Sequence, residues 1–190
     1  MRSFPEASII DAEELVEDCK NGTLAAFEHL YEVHGARMKS VAFNLLGNVQ
    51  DAEDAVQDAF LKIYRSVGSF RRRSSFTTWI YRVLVNACYD LMRTRRRREP
   101  EVPERAPGLG AVDKTTGGCA DHPLRLTLER SLRNLSERQR TVFLLFEVEG
   151  FRHREIAEIL SIAEGTSKCI LFEAKQELQQ LIRAGSETGI

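Results

Sequence analysis

The clearest periodic pattern in this chain is FTTWIYRVLVNACYDLMR, which occupies residues 76–93. Apolar residues recur in it at steps of three and four positions, the spacing that places them on one face of an α-helix. The members of this apolar stripe are Phe76, Trp79, Ile80, Val83, Leu84, Ala87, Cys88 and Leu91. The pattern therefore predicts an amphipathic helix, and it assigns Trp79 to the core rather than to a binding surface.

Helical periodicity continues on both sides of this segment, and no sustained alternation of apolar and polar residues predicts a β-strand. The first helix is expected to begin near Asp11, a candidate N-cap with Glu14 three residues later. Ser136 is the candidate N-cap of a later helix. The other predicted helices span about residues 23–46, 50–67, 124–134, 136–150, 152–160 and 164–183. The sequence thus predicts an all-α fold.

The overall composition is that of an ordinary globular protein, with 190 residues, 43 % of them hydrophobic, and a formal net charge of -1. Residues 99–123 differ, because they contain four of the five prolines together with four glycines. Such a composition is typical of a flexible linker that does not fold alone. We therefore expect two small helical domains, residues 10–98 and 124–183, joined by this linker.

Charge is segregated along the chain in spite of its near neutrality. Residues 6–58 are strongly acidic, whereas residues 71–98 contain nine arginines and a single acid, Asp90. This segregation favours a protein partner for one surface and a polyanion for another.

The residues that could carry chemistry show no arrangement typical of an enzyme or a metal site. The four cysteines form no C-x-x-C pair, and the four histidines are scattered without triad partners. A glycine-rich phosphate loop is absent from the sequence. We therefore expect no catalytic activity, cofactor or metal, and we interpret Cys88 and Cys169 as buried or semi-buried free thiols.

The same cysteine usage indicates a reducing cytosol. No apolar run in the sequence is long enough to span a membrane, and residues 1–10 lack the basic and apolar regions of a signal peptide. The sequence therefore predicts a cytoplasmic protein that does not insert into membranes.

The strongest motif lies in the last two predicted helices. Ser161-Ile162-Ala163 joins a helix with an apolar face to a longer helix. So short a turn is typical of the helix-turn-helix, whose second helix enters the major groove of DNA. An ordinary helical hairpin has the same periodicity, so the pattern alone leaves both interpretations open.

Several stretches of this carboxy-terminal half resemble region 4 of bacterial RNA polymerase sigma factors. They are LSERQRTVFLL (135–145), EGF (149–151), EIAEIL (155–160) and GTSK (165–168), the last at the start of the family's recognition helix. The resemblance implies that this domain binds the −35 promoter element. The candidate −35 residues are Arg152, Arg154, Thr166, Ser167, Lys168, Ile170, Phe172 and Lys175.

The amino-terminal half resembles region 2 of the same family. DAEDAVQDAF (51–60) is similar to the acidic helix that docks on the polymerase β′ clamp, although the charges alone would also suit a solvated face. The polymerase-binding candidates that this resemblance implies are Asp51, Asp54, Gln57, Asp58 and Phe60.

A second stretch of this half, SFRRRSSFTTWIYR (69–82), resembles the family's −10 recognition loop and the helix behind it. The −10 candidates are Phe70, Arg71, Ser74, Ser75, Arg82, Asn86 and Arg93. Arginines suit phosphate binding, and the amide of Asn86 can pair with the edge of an unstacked base.

The resemblance covers about residues 10–98 and 124–183, and sigma regions 1.1 and 3 have no counterpart. This selects the extracytoplasmic-function class. The resemblance implies a promoter-specificity subunit that binds the β′ clamp and β flap of core RNA polymerase, binds promoter DNA and is controlled by an anti-sigma factor. A stand-alone helix-turn-helix repressor or activator is the competing interpretation, but it requires neither the acidic helix nor the arginine-aromatic segment.

The chain also departs from the family pattern. Ile170, Glu173, Gln176 and Glu177 occupy typically basic or polar positions of the recognition helix, which leaves Lys168 and Lys175 as its lysines. We therefore expect weak −35 binding through that helix, with phosphate contacts supplied by Arg152 and Arg154. In the −10 loop, Arg72 and Arg73 stand where Gly and an acid are common.

Overall fold

The computed structural model describes residues 9–98, 131–132 and 134–187. Its α-helices are α1 (Ile9–Lys20), α2 (Leu24–Leu46), α3 (Val49–Ser66), α4 (Phe76–Arg98), α5 (Glu137–Phe143), α6 (His153–Leu160) and α7 (Glu164–Glu187). A 3₁₀ turn, Val67–Ser69, follows α3, and a π-helical turn, Leu144–Val148, follows α5. The prediction of an all-helical fold is confirmed for the part of the chain that the structure describes.

The helices form two compact units. Helices α1 to α4 make up the first, and α5 to α7 make up most of the second. The predicted linker, residues 99–123, lies outside the described residues, as does most of the helix predicted over 124–134.

Helix α4 contributes most of its apolar stripe to the core of the first unit, where it packs against both α2 and α3. Tyr81 and Val85 are buried as well, although they fall outside the predicted stripe. A helix that contacts two neighbours buries a broader face than a helix lying on a surface. The fully buried members of the stripe are Ile80, Leu84, Ala87 and Cys88.

Trp79 belongs to the core, as its position in the stripe predicts. Its ring packs against a buried cluster formed by Cys19 of α1, Ala26 of α2 and Val67 of the 3₁₀ turn. The start of α4 and the two amino-terminal helices therefore pack on one apolar cluster. This packing holds the 3₁₀ turn and the start of α4, which lie on either side of the loop of residues 70–75.

Some details differ from the sequence-based expectations. Helix α1 begins at Ile9, so Asp11 lies inside the helix instead of capping it. Tyr31 of α2 is 46 % exposed although it is aromatic, and it packs edge-on against Phe60 with ring centroids 5.2 Å apart. Cys169, predicted to be buried or semi-buried, is exposed on α7, because it lies off the buried face that carries Leu171, Ala174 and Leu178.

Cys19 and Cys88 are buried free thiols. Burial raises the pKa of Cys19 to about 11 and the pKa of Cys88 to about 12, because apolar surroundings disfavour the thiolate. Within the described residues, no group of His, Cys, Asp and Glu side chains could hold a metal ion. None of the described helices has the length and hydropathy that a membrane span requires.

Helices α6 and α7 form the predicted helix-turn-helix. The turn between them contains Ser161 at φ 55°, a left-handed conformation that closes the short connection. The Ile162 amide donates a hydrogen bond to the Ala157 carbonyl at 3.0 Å. Helix α5 packs against α7, and Ser136 caps α5, as the sequence predicts. The cap is a reciprocal capping box with Gln139.

Candidate nucleic-acid interface

The loop before α4 (residues 70–75, here called the arginine loop) is anchored at both ends. Phe70 is buried, and its ring centroid lies 5.3 Å from that of Trp79. At the other end Ser75 caps α4, because its hydroxyl accepts a hydrogen bond from the Thr78 amide at 3.0 Å. The structure therefore places two of the predicted DNA-binding residues, Phe70 and Ser75, as anchors of the loop.

The middle of the arginine loop has two kinds of arginine. Arg71 and Arg73 are exposed and have no ion-pair partner among the described residues. Arg72, with φ 53°, instead reaches α1, where Nη1 lies 3.1 Å from Glu13 Oε1 and Nη2 lies 3.0 Å from Glu17 Oε1. The sequence pattern could not predict this contact, because Arg72 is more than fifty residues away from Glu13 and Glu17 in the chain.

The exposed face of α4 carries three more of the predicted −10 residues. Arg82 and Asn86 lie one helical turn apart, and Arg93 lies two turns further along the same side. Asn86 is exposed, and the structure gives its side chain no hydrogen bond to a described residue. Arg93 Nη2 lies 3.4 Å from Asp90 Oδ1, and Ser74 is half-buried near the start of the helix. A polar amide between guanidinium groups is an arrangement suited to single-stranded nucleic acid.

The outer face of α3 is acidic. Asp54 and Gln57 are exposed there, and Asp54 has no ion-pair partner among the described residues. Asp58 Oδ2 lies 2.8 Å from Lys62 Nζ, and this hydrogen bond is the main cause that raises the pKa of the lysine. Phe60 is half-buried beside Tyr31. The face therefore offers one unpaired carboxylate next to a hydrogen-bonding amide.

Asp51 is held differently from the other acidic residues of α3. Its amide donates a hydrogen bond to Asn48 Oδ1 at 2.8 Å, and its carboxylate accepts one from Asn48 Nδ2 at 2.6 Å. The same carboxylate forms an ion pair with Arg95 of α4. Asp51 thus fastens the start of α3 to the end of α4, which is a structural use of its charge.

The two lysines of the recognition helix α7 are both in ion pairs. Lys168 Nζ lies 2.7 Å from Glu164 Oε1, and Lys175 Nζ lies 2.6 Å from Glu147 Oε1 of the π-helical turn. The hydrogen bond from Lys168 also lowers the pKa of Glu164, so this carboxylate stays charged beside the lysine. Neither lysine of the helix is therefore an uncompensated positive charge with which to attract phosphate.

Ser167, predicted from the family resemblance to contact DNA, is 0 % exposed and cannot do so in this conformation. Its hydroxyl lies 3.0 Å from Nδ1 of His153, whose ring stacks on Phe146 with centroids 4.5 Å apart. Burial is the main cause that lowers the pKa of His153, so the neutral imidazole is favoured. The helical spacing from Ser167 to Leu171 and Ala174, both buried, is a sequence signal for this inward position.

The remaining predicted −35 residues lie at or near the surface. Arg152 and Arg154 are exposed at the start of α6, and Thr166 is exposed near the start of α7. Phe172 is 63 % exposed, whereas Ile170 is half-buried. The exposed cations of this unit thus include two at the amino-terminal end of α6, where helix amides also favour anions.

Comparison with known proteins identifies both halves of the chain. Residues 30–98 match the family described as sigma-70 region 2, and residues 125–178 match the family described as sigma-70, region 4. The ECF RNA polymerase sigma factor SigM of Mycobacterium tuberculosis is 30 % identical over 161 residues, which cover 85 % of this chain and 79 % of that protein. The ECF RNA polymerase sigma-E factor of Escherichia coli is 30 % identical over 182 residues, covering 89 % and 95 %.

Solved structures show the same architecture. The sigma factor RpoE of Bartonella quintana, in complex with the anti-sigma factor NepR, matches with a TM-score of 0.69 at 27 % identity, over 83 % of this chain and 96 % of that chain. CnrH, in complex with the cytosolic domain of CnrY, also matches with a TM-score of 0.69, over 91 % of this chain and 97 % of that chain. Its 22 % identity makes this second likeness one of fold alone.

Proposed function

Because this chain belongs to the extracytoplasmic-function class of RNA polymerase sigma factors, which direct transcription initiation and are not enzymes, we propose how its surfaces divide that work. Helix α3 docks on the β′ clamp, while the arginine loop and α4 bind the −10 element. The second unit contacts the β flap and the −35 element. Residues 10–98 and 124–183 act as the two functional domains, and residues 99–123 join them.

The observation that carries this proposal is the contrast between two neighbouring helices of the first unit. Helix α3 exposes the unpaired carboxylate of Asp54, whereas α4 exposes Asn86 with Arg82 and Arg93 along one side. The acidic face suits a basic protein surface, and the arginine face suits phosphate. One small domain can therefore hold the polymerase and the DNA at the same time.

Strand capture would use the exposed face of α4. Opening a duplex requires that an unstacked base be held, and the amide of Asn86 can form two hydrogen bonds with a base edge. Phosphate contacts from Arg71, Arg82 and Arg93 would hold the strand, with a contribution that falls as salt rises.

Regulation is expected to come from a protein partner. The Bartonella quintana sigma factor with this fold is seen in complex with an anti-sigma factor. We expect an anti-sigma factor to bind this protein as well. We expect both proteins to act in the cytoplasm.

Reconstitution with core RNA polymerase tests the function directly. Core enzyme with this protein should initiate at defined sites in genomic DNA, and sequencing of transcript 5′ ends identifies them. The protein alone should bind the same promoters weakly as duplexes. Random starts with core enzyme, or tight sequence-specific binding by the protein alone, would favour a stand-alone repressor or activator instead.

A further prediction concerns the second unit. We expect the full-length protein to bind a duplex containing the mapped −35 element weakly, because both lysines of α7 are neutralised by glutamates. Arg152→Ala with Arg154→Ala should lower the affinity further and reduce the salt slope by about two units, one for each phosphate contact. Fluorescence anisotropy across a salt series measures both quantities.

The matched change in the opposite direction is Glu173→Arg. Glu173 is exposed on α7, so replacing its carboxylate with a cation should raise affinity for the same duplex. Tight binding by the wild type, together with no response to the paired alanines, would contradict this assignment of the phosphate contacts.

A further inference from the structure

The backbone of the arginine loop contains a conformation that its sequence does not favour. Arg72 has φ 53°, in the left-handed region where a Cβ atom meets the following carbonyl oxygen. Glycine would adopt this conformation without strain. An arginine persists there only if its surroundings hold it, which directs attention to the contacts of its side chain.

Two carboxylates of α1 supply those contacts. Glu13 and Glu17 lie one helical turn apart on the same side of α1. Each accepts a hydrogen bond from one terminal nitrogen of the Arg72 guanidinium, with nitrogen–oxygen distances of 3.1 and 3.0 Å. A planar guanidinium can bridge two acceptors in this way, whereas a lysine ammonium lacks the fork.

Helix α1 is itself anchored to the core beneath the loop. Val16 and Cys19 of α1 are buried, and Cys19 belongs to the apolar cluster against which Trp79 packs. Phe70, at the start of the loop, contacts the same Trp79 ring. The loop is thus held at its start by the packing of Phe70 and in its middle by the carboxylates of α1.

We propose that Glu13 and Glu17 are positioning residues for promoter opening: by holding Arg72 they set the path of the arginine loop and leave Arg71 and Arg73 available for DNA phosphates. This inference rests on the proposed role of the loop in −10 recognition. In this arrangement Arg72 acts on the loop and not on DNA, although it stands between two arginines that are exposed and without ion-pair partners among the described residues.

The test compares variants of the full-length protein bound to core RNA polymerase. Glu13→Gln with Glu17→Gln should slow open-complex formation about fivefold, the scale expected of exposed ion pairs, while leaving affinity for core enzyme unchanged. The rate is followed by permanganate reactivity of the melted strand. Glu14→Gln with Asp18→Asn is the matched control, because it also neutralises two carboxylates at exposed positions of the same helix.

Arg72→Gly separates positioning from a general loss of structure. Glycine relieves the strain at this φ, so opening should stay close to the wild-type rate, and the two glutamine changes should have no further effect in the Arg72→Gly background. Arg72→Ala keeps the strain but loses the contacts, so it should be as slow as the paired glutamine variant.

Three results would overturn the inference. The first is promoter opening by the paired glutamine variant at the wild-type rate or faster, and the second is an equal slowing by the two glutamine changes in the Arg72→Gly background. The third is a large opening defect in Arg72→Gly alone, which would assign Arg72 to DNA binding. If the wild type itself fails to open promoters with core enzyme, it is the proposed function that is contradicted. The comparison of variants, in contrast, tests only the positioning role of Glu13 and Glu17.

Discussion

Asp54→Lys should weaken binding to core RNA polymerase about thirtyfold, since disrupting one partner of an interfacial charge pair costs ~2–5 kcal/mol. Asp54 is exposed on α3, lies off the apolar stripe of that helix and has no ion-pair partner among the described residues. That stripe consists of the buried residues Ala52, Ala55, Val56, Ala59 and Ile63. Its replacement therefore breaks no contact within the described part of the chain, and the free energy of unfolding should change little. A pull-down titration against core enzyme measures the affinity.

Two further variants sharpen this test. Glu14→Lys makes the same charge change at an exposed position of α1 and should leave core affinity unchanged. Asp51→Lys should instead lower the stability of the protein, because Asp51 is tied to Asn48 and Arg95. Core affinity that does not respond to Asp54→Lys would remove the docking role from this face of α3.

The different surroundings of Asp51 and Asp54 show where sequence patterns stop being informative. Both are acidic, both lie outside the apolar stripe, and both match the same family segment. What separates them is Arg95, which is 44 positions from Asp51 in sequence yet forms an ion pair with it. Periodicity predicts which face of α3 is polar, but not which polar groups are already paired across the fold.

Ser167 illustrates the opposite case, in which helical spacing predicts a buried position and the family resemblance suggests a DNA contact. Its spacing to Leu171 and Ala174 places it on the buried face of α7, and it is buried there. The family resemblance suggested DNA contact at this position because the recognition helix begins nearby. The hydrogen-bonding distance to His153, across the helix-turn-helix, explains how a hydroxyl is accommodated on the buried face of α7.

The breadth of the core of the first unit could be predicted only in part. The apolar stripe of α4 predicted Ile80 and Leu84 correctly, because helical spacing follows directly from backbone geometry. Tyr81 and Val85 are buried because α2 and α3 both pack on α4, and the number of neighbours of a helix is a property of tertiary arrangement. The conformation of Arg72 belongs to the same class, since partners on α1 hold it.

Asn86→Ala should leave core binding intact and reduce promoter opening about tenfold, because a bidentate contact to a base is worth ~1–3 kcal/mol. Asn86 is exposed on α4, one turn from Arg82, and its amide has no hydrogen bond to a described residue. Removing the amide therefore leaves no buried partner unsatisfied, so the loss should appear in DNA opening and not in stability. Permanganate reactivity of the melted strand is the measurement.

Asn44→Ala provides the control, because Asn44 is an exposed asparagine on α2, outside the arginine face of α4. It removes the same amide and should open promoters at the wild-type rate. Salt separates the two kinds of contact: the defect of Asn86→Ala should persist as salt rises, since a base contact releases no counterions, whereas defects in arginine variants depend on salt. An Asn86→Ala protein that opens promoters as fast as the wild type would leave the capture of the unstacked base to another group on this face of α4.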